Sequence, residues 1–162
     1  MMDVINPATG EREDTIEEDT ESDVEAAIER ASAAFETWQD EPIRKREELL
    51  AAAGDVLREN KREYAETMTR EMGKPISQAI AEVEKCAWVC DHYAEHGSAY
   101  LEADSHPSPP GSDVKTVYDP LGPLLAVMPW NFPFWQVFRF AAPHLTSGNV
   151  GLLKHASNVP GC

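Results

Sequence analysis

The chain has 162 residues, with 29 Asp and Glu against 14 Lys and Arg and a formal net charge of −15. That acid excess excludes a nucleic-acid binder, which needs a cationic footprint, and a binder of anionic membrane surfaces on the same ground. Three cysteines make no disulfide framework, and no apolar run matches a bilayer. The start MMDVINPATG has neither the basic nor the apolar region of a secretory signal, so a cytoplasmic setting is expected.

In chain order, residues 3–10 read as an extended start with a turn at Asn6, Pro7 and Gly10. A first helix is expected from Ser22, where Ser22 and Glu25 have the spacing of a capping box. Its apolar stripe is Val24, Ile28, Ala31, Phe35 and Trp38. Pro42 suits the first turn of a second helix, continued by Ile43, Leu50, Ala53 and Leu57. A third runs over residues 61–72, with Tyr64, Met68 and Met72 on one face and Gly73 as a natural C-terminal cap. A fourth, over 76–101, has the stripe Ile80, Val83, Ala87, Cys90 and Ala94.

Residues 103–112, ADSHPSPPGS, read as a loop by composition. The period then changes. Val114, Thr116 and Tyr118 alternate with polar neighbours as in a strand. Residues 124–128 form a short apolar run consistent with a buried strand, 134–145 a buried helix, 147–149 a turn and 150–153 a second buried strand. Strand, crossover helix and strand make a βαβ unit of a parallel sheet. The expected fold class is thus α/β, a helical region leading into one βαβ unit. Two strands and a helix cannot cover their own apolar faces, so the sheet reads as incomplete.

Charge is unevenly placed along the chain. Of the 29 acids, 27 fall at or before residue 105, and none lies in 120–162. The first two thirds therefore read as a solvated outer layer and the last quarter as interior. Six Lys against eight Arg on an acid-rich chain also suggest a high-salt cytoplasm, where salt screens self-repulsion.

Several segments together carry a family resemblance. They are Asn6-Pro7-Ala8-Thr9-Gly10, Glu71-Met72-Gly73-Lys74-Pro75, Tyr118-Asp119-Pro120-Leu121-Gly122-Pro123, Pro129-Trp130-Asn131-Phe132-Pro133-Phe134-Trp135, and Ser147-Gly148-Asn149 followed by Leu153-Lys154-His155-Ala156-Ser157. In this order they resemble the aldehyde dehydrogenase superfamily over the whole chain. The run from Lys154 to Cys162 is most similar to the succinate-semialdehyde dehydrogenase branch. The resemblance implies NAD or NADP as cofactor, a small aldehyde as substrate and homo-oligomers in the full-length family. It divides the chain into an N-terminal helical region (1–112), part of an oligomerisation arm (113–119) and an incomplete Rossmann-like NAD(P)-binding domain (120–162). The family's nucleophilic Cys and general-base Glu lie downstream of Lys154. The chain is therefore expected to be an N-terminal part without the catalytic domain and inactive alone, or alternatively a binding module that complements a separate chain.

The resemblance also assigns roles. Asn131 would donate its amide to the anionic oxygen formed when a thiolate attacks the aldehyde, a bond worth more in the transition state than before it. The plainer reading is a turn Asn capping the next helix. Pro129 and Trp130 fall in the cofactor site. Lys154, expected at the carboxyl end of a strand, would bond the adenosine ribose; the plainer reading is a solvated lysine. Ser157 stands where NAD-preferring members often carry Glu, so a 2′-phosphate would be tolerated. Arg139 would pair the substrate carboxylate through its planar fork, or else simply snorkel. Phe132 and Trp135 would line the aldehyde channel or pack in the core. Cys86, Cys90, His92 and His96 cannot converge from one helix, so no metal site is expected and the cysteines read as core.

Overall fold

The computed structural model describes all 162 residues. Strand β1 (Met2–Ile5) pairs antiparallel with β2 (Arg12–Ile16), so the extended start is one half of a hairpin. Its turn closes where Gly10, at φ 74°, donates to the Asn6 carbonyl at 2.8 Å.

Helix α1 (Glu21–Trp38) starts one residue earlier than its sequence suggests, and its cap lies two residues earlier. Thr20 is the cap: its side chain accepts from the Asp23 backbone, and Asp23 answers the Thr20 N–H at 2.9 Å. Ser22 instead pairs its hydroxyl with that of Thr20. Of the expected stripe only Ala31 is buried, and Val24 and Ile28 are half exposed.

Helices α2 (Ile43–Glu59), α3 (Lys61–Met72) and α4 (Ile76–Tyr100) follow with short joints. Pro42 precedes α2 as its N-cap. Gly73 ends α3 at φ 71° and donates to the Thr69 carbonyl, a left-handed cap that a Cβ would strain. α4 packs against α2 and α3 and, on its other side, against α5 (Pro133–Thr146). The core lies here. Leu50, Leu57, Ala65, Met68, Ala79, Val83, Cys86, Ala87, Val89, Cys90 and Ala142 form one buried cluster, with Phe134, Trp135 and Phe138 packed against it.

The largest buried cluster thus lies in the acid-rich helices and not in the last quarter, which the charge map marked as interior. The acid-rich helical part holds it because all its acids but Glu71 and Glu82 sit on outer helix faces while small residues line the inner ones. Residue for residue, 120–162 is still the less exposed part, as the charge map suggested. Residues 104–106, expected as loop, form β3 (Asp104–His106), antiparallel to β4 (Val114–Thr116); both are wholly exposed.

The βαβ unit is present. β5 (Pro123–Val127) and β6 (Val150–Lys154) are parallel and in register from Pro123↔Val150 to Val127↔Lys154, with α5 as the crossover. They are less buried than expected. Ala126 is enclosed, but Leu125 is 68% and Val127 70% exposed. Asn149, itself buried, joins the two strands at their starts: its side-chain oxygen accepts from the N–H of Leu121 at 2.7 Å and of Gly122 at 3.1 Å. The Trp38 indole donates to the Leu145 carbonyl at 3.1 Å and ties α1 to the end of α5.

Candidate functional site

The carboxyl ends of β5 and β6 lie side by side, and the Met128 N–H bonds the Lys154 carbonyl at 3.0 Å. Two loops leave from there. One, 128–132, carries Pro129, Trp130, Asn131 and Phe132 into α5. The other, 155–162, carries Ser157. Ligands of open α/β sheets gather at this end.

Asn131 is exposed, and its side chain makes no hydrogen bond within the chain. It does not cap α5. The N-cap residue is Phe132, which supplies no side-chain cap, and Pro133 takes the first helical position, where its missing N–H costs nothing. Glu82 of α4 does the capping. One carboxylate oxygen accepts from the backbone N–H of Phe134 at 3.1 Å and of Trp135 at 3.0 Å. A carboxylate on these amides answers both the orphan donors and the positive end of the helix dipole.

Glu82 is ion-paired with Lys74, and both side chains are buried, 2% and 7% exposed. Lys74 also donates to the Asn131 carbonyl at 3.1 Å and lies 3.9 Å above the Phe132 ring. Glu71, at the end of α3, accepts from the backbone of Gly161 at 3.0 Å and Cys162 at 3.1 Å. Residues 71–82 thus hold both loops from below. Between the loops, Trp130 and Asn158 line a cavity of about 380 Å³ with Ile5, Pro7, Glu71 and Met72.

Lys154, at the carboxyl end of β6, and Ser157, in the loop after it, are exposed. The Lys154 ammonium bonds only the neighbouring His155 carbonyl, at 2.5 Å, and no carboxylate claims it. Trp130 and Phe132 are about half exposed. Trp135 packs partly against the core, with Lys85 3.8 Å above its ring. Arg139 lies further along α5, exposed and bonded to Gln136 at 2.9 Å. No hydrogen bond joins it to the 128–132 loop, so the structure gathers Trp130, Asn131, Phe132 and Lys154 at one end and leaves Arg139 on the helix flank.

The cysteines are not nucleophiles here. Cys86 and Cys90 are fully buried, and burial pushes the Cys90 thiol up to about 11 and Cys86 higher. Burial and then the Glu71 carboxylate raise Cys162 as well. His92 and His96 meet edge to face with ring centres 4.9 Å apart.

Sequence reasoning gave Lys74, Glu71 and Asn149 no role and passed over Glu82. A signal was present for Glu82. Ala79, Val83, Cys86 and Cys90 define the buried face of α4, and Glu82 sits on it at the same spacing, an acid where an apolar residue is the rule.

The chain belongs to the aldehyde dehydrogenase family, whose sequence model matches residues 1–162. Among curated relatives, a probable NADP+ succinate-semialdehyde dehydrogenase of Synechocystis sp. is 52% identical over 158 residues, covering 98% of this chain. The NAD(P)+ succinate semialdehyde dehydrogenase Sad of Escherichia coli is 49% identical over 159 residues. Among solved structures, succinic semialdehyde dehydrogenase of Streptococcus pyogenes in complex with NADP+ superposes with a TM-score of 0.93 at 33% identity, covering 99% of this chain. The chain spans about a third of the length of these relatives, 35%, 34% and 35% respectively.

Proposed function

We propose that this chain is the cofactor- and oxyanion-side part of an NAD(P)-dependent dehydrogenase that oxidises an aldehyde, succinate semialdehyde by analogy with its relatives, to the carboxylic acid. The observation that carries the reading is the unengaged amide of Asn131 in the loop that leaves the carboxyl end of β5, with Lys154, bonded only to a backbone carbonyl, at the carboxyl end of the parallel neighbour β6. The donor set suits a dinucleotide. A lysine ammonium that no carboxylate pairs, a hydroxyl at Ser157 and the lack of any acid within 120–162 favour phosphates. When bound, NAD(P)+ supplies the two-electron acceptor.

The chain's own residues do three things in this reading. Pro129, Trp130, Lys154 and Ser157 hold the cofactor, with Ser157 tolerating a 2′-phosphate. Asn131 donates to the oxygen that becomes anionic as the aldehyde carbon is attacked. Phe132 and Trp135 wall the aldehyde, and the Arg139 fork takes its distal carboxylate. The nucleophile and the base come from residues outside this chain.

The test pairs the coding sequence beyond codon 162 with the native mass of the protein, followed by assay of NADP+ reduction with succinate semialdehyde and with butanal. An assembled enzyme that oxidises the carboxylated aldehyde faster supports the reading. Equal rates for the two aldehydes remove Arg139 from it, and no binding of NADP+ or NAD+ by the assembled protein overturns it.

A second reading is favoured by one observation. Leu121, Leu125, Val127 and Leu153 stand 51–86% exposed around the β5–β6 pair, an apolar surface fit for another chain. In that reading the chain acts as a binding and oligomerisation module. Co-purification with a separate chain bearing the nucleophile supports it over a single interrupted polypeptide.

A further inference from the structure

The buried pair Lys74–Glu82 carries more than its own weight in the fold. Removing two opposite charges from water costs several kcal/mol for each ion, and an apolar pair of equal volume would generally serve stability as well. Here each ion spends its remaining bonding capacity on one segment of five residues. Lys74 holds the Asn131 carbonyl at 3.1 Å and covers the Phe132 ring. Glu82 holds the Phe134 and Trp135 amides at 3.1 and 3.0 Å. Pro133, between them, has no N–H to hold.

The backbone is thus pinned on both sides of Asn131's exit into α5, from the carbonyl side and from the amide side. With the main chain fixed there, the Asn131 side chain is left only its own rotamers, and its amide is not consumed by any internal bond.

We propose that Lys74 and Glu82 are positioning residues for the Asn131 amide: the ion pair sets where that donor points, so that it meets the developing oxyanion without rearrangement. This rests on the reading of Asn131 as the oxyanion donor. Both ions act through the backbone and touch no reacting atom. The chemistry asks for such rigidity, since a donor misplaced by about 1 Å can cost on the order of 100-fold in rate.

The test is a double-mutant cycle in the full-length assembled enzyme. Lys74→Met and Glu82→Leu are made together, so that no lone charge is left buried and the protein still folds. Against wild-type Asn131, this paired change is expected to lower kcat by roughly 10- to 100-fold, with KM for the cofactor unchanged. Against Asn131→Ala, already slowed by roughly 100-fold or more, the same paired change is expected to cost less than about twofold, because the donor it positions is gone. Amide exchange gives a readout independent of activity: Phe134 and Trp135 should lose protection in the paired variant while the middle of α4 keeps it.

An equal loss of kcat in both backgrounds means the pair serves stability alone and overturns the proposal. So does unchanged kcat in a paired variant whose Phe134 and Trp135 amides have become exposed. If Asn131→Ala itself leaves kcat untouched, the oxyanion reading falls and this inference with it, a result separate from the other two.

Discussion

Asn149→Ala tests how the two parallel strands are held. The residue is 6% exposed and its oxygen accepts two backbone N–H groups, from Leu121 at 2.7 Å and Gly122 at 3.1 Å, while its amide reaches the Ser147 hydroxyl at 2.9 Å. Alanine removes all three bonds. The Gly122 N–H is enclosed and bears the full cost of an unmade bond, about 1–3 kcal/mol; the Leu121 N–H, on a residue open to solvent, falls at the low end of that range. Their sum is about 2–4 kcal/mol. Asn149→Asp keeps the oxygen that accepts both N–H groups but loses the bond to Ser147 and buries a charge, so it should cost about 1–3 kcal/mol at neutral pH and less as the carboxyl is protonated. Urea unfolding followed by tryptophan fluorescence gives both values from the midpoint at constant slope. An alanine variant within about 0.5 kcal/mol of wild type would refute the argument, since it would mean water reaches both amides.

Gly97 sits where α4 meets α5, and a Cβ there would fall inside contact distance of the Thr146 methyl. Gly97→Ala should therefore destabilise by about 1–3 kcal/mol through overpacking, despite the helix propensity it gains; a shift of the thermal midpoint upward would contradict this. Cys90 is held protonated by burial, with its pKa pushed up to about 11. A raised folded value means stability is complete below the unfolded thiol value, about 8.5, and falls as pH rises from there toward 11. Cys86 and Cys90 should also resist alkylation at neutral pH in the native state, and rapid labelling of both would show that the core opens readily. With a net charge of −15, the unfolding midpoint should rise between ~0.1 M and ~1 M KCl, as screening shortens from ~10 Å to ~3 Å. A falling midpoint would show instead that exposed pairs such as Lys61–Glu84 outweigh the repulsion.

What could be read from the sequence was local. The left-handed turn at Gly73, the span of α3 and the strand–helix–strand order of residues 123–154 each follow from neighbours a few positions apart. The cap of α1 shows the limit of such signals. Thr20 with Asp23 and Ser22 with Glu25 have the same spacing, and only the folded geometry chooses the first. β3 has no alternation to betray it, since its pairing with β4 is made by the backbone and every side chain faces water.

The helix stripes marked Leu50, Leu57, Met68, Val83, Ala87 and Cys90 correctly, whereas the charge map gave the helical part too little weight. Ala65, Ala79, Ala87, Cys86 and Cys90 are small, so they weigh little in a count of apolar residues although they are fully buried. In the candidate site, Asn131 and Lys154 were legible through the residues around them. Glu82 gave only half a signal, an acid on an apolar helix face, because its partner is a helix start 52 positions away.

The order in which the core is completed has a consequence for synthesis. Ten of the eleven residues in the buried cluster lie between Leu50 and Cys90; only Ala142 comes later. A chain emerging from the ribosome can close its helical layer before residue 131 has been made, as N-terminal units generally fold first. At that moment Lys74 and Glu82 have only each other, and the surface they occupy stands open. The segment from Asn131 to Trp135 then arrives on a template already in place. On that order of events, the 131–135 segment takes its shape from helices already in place.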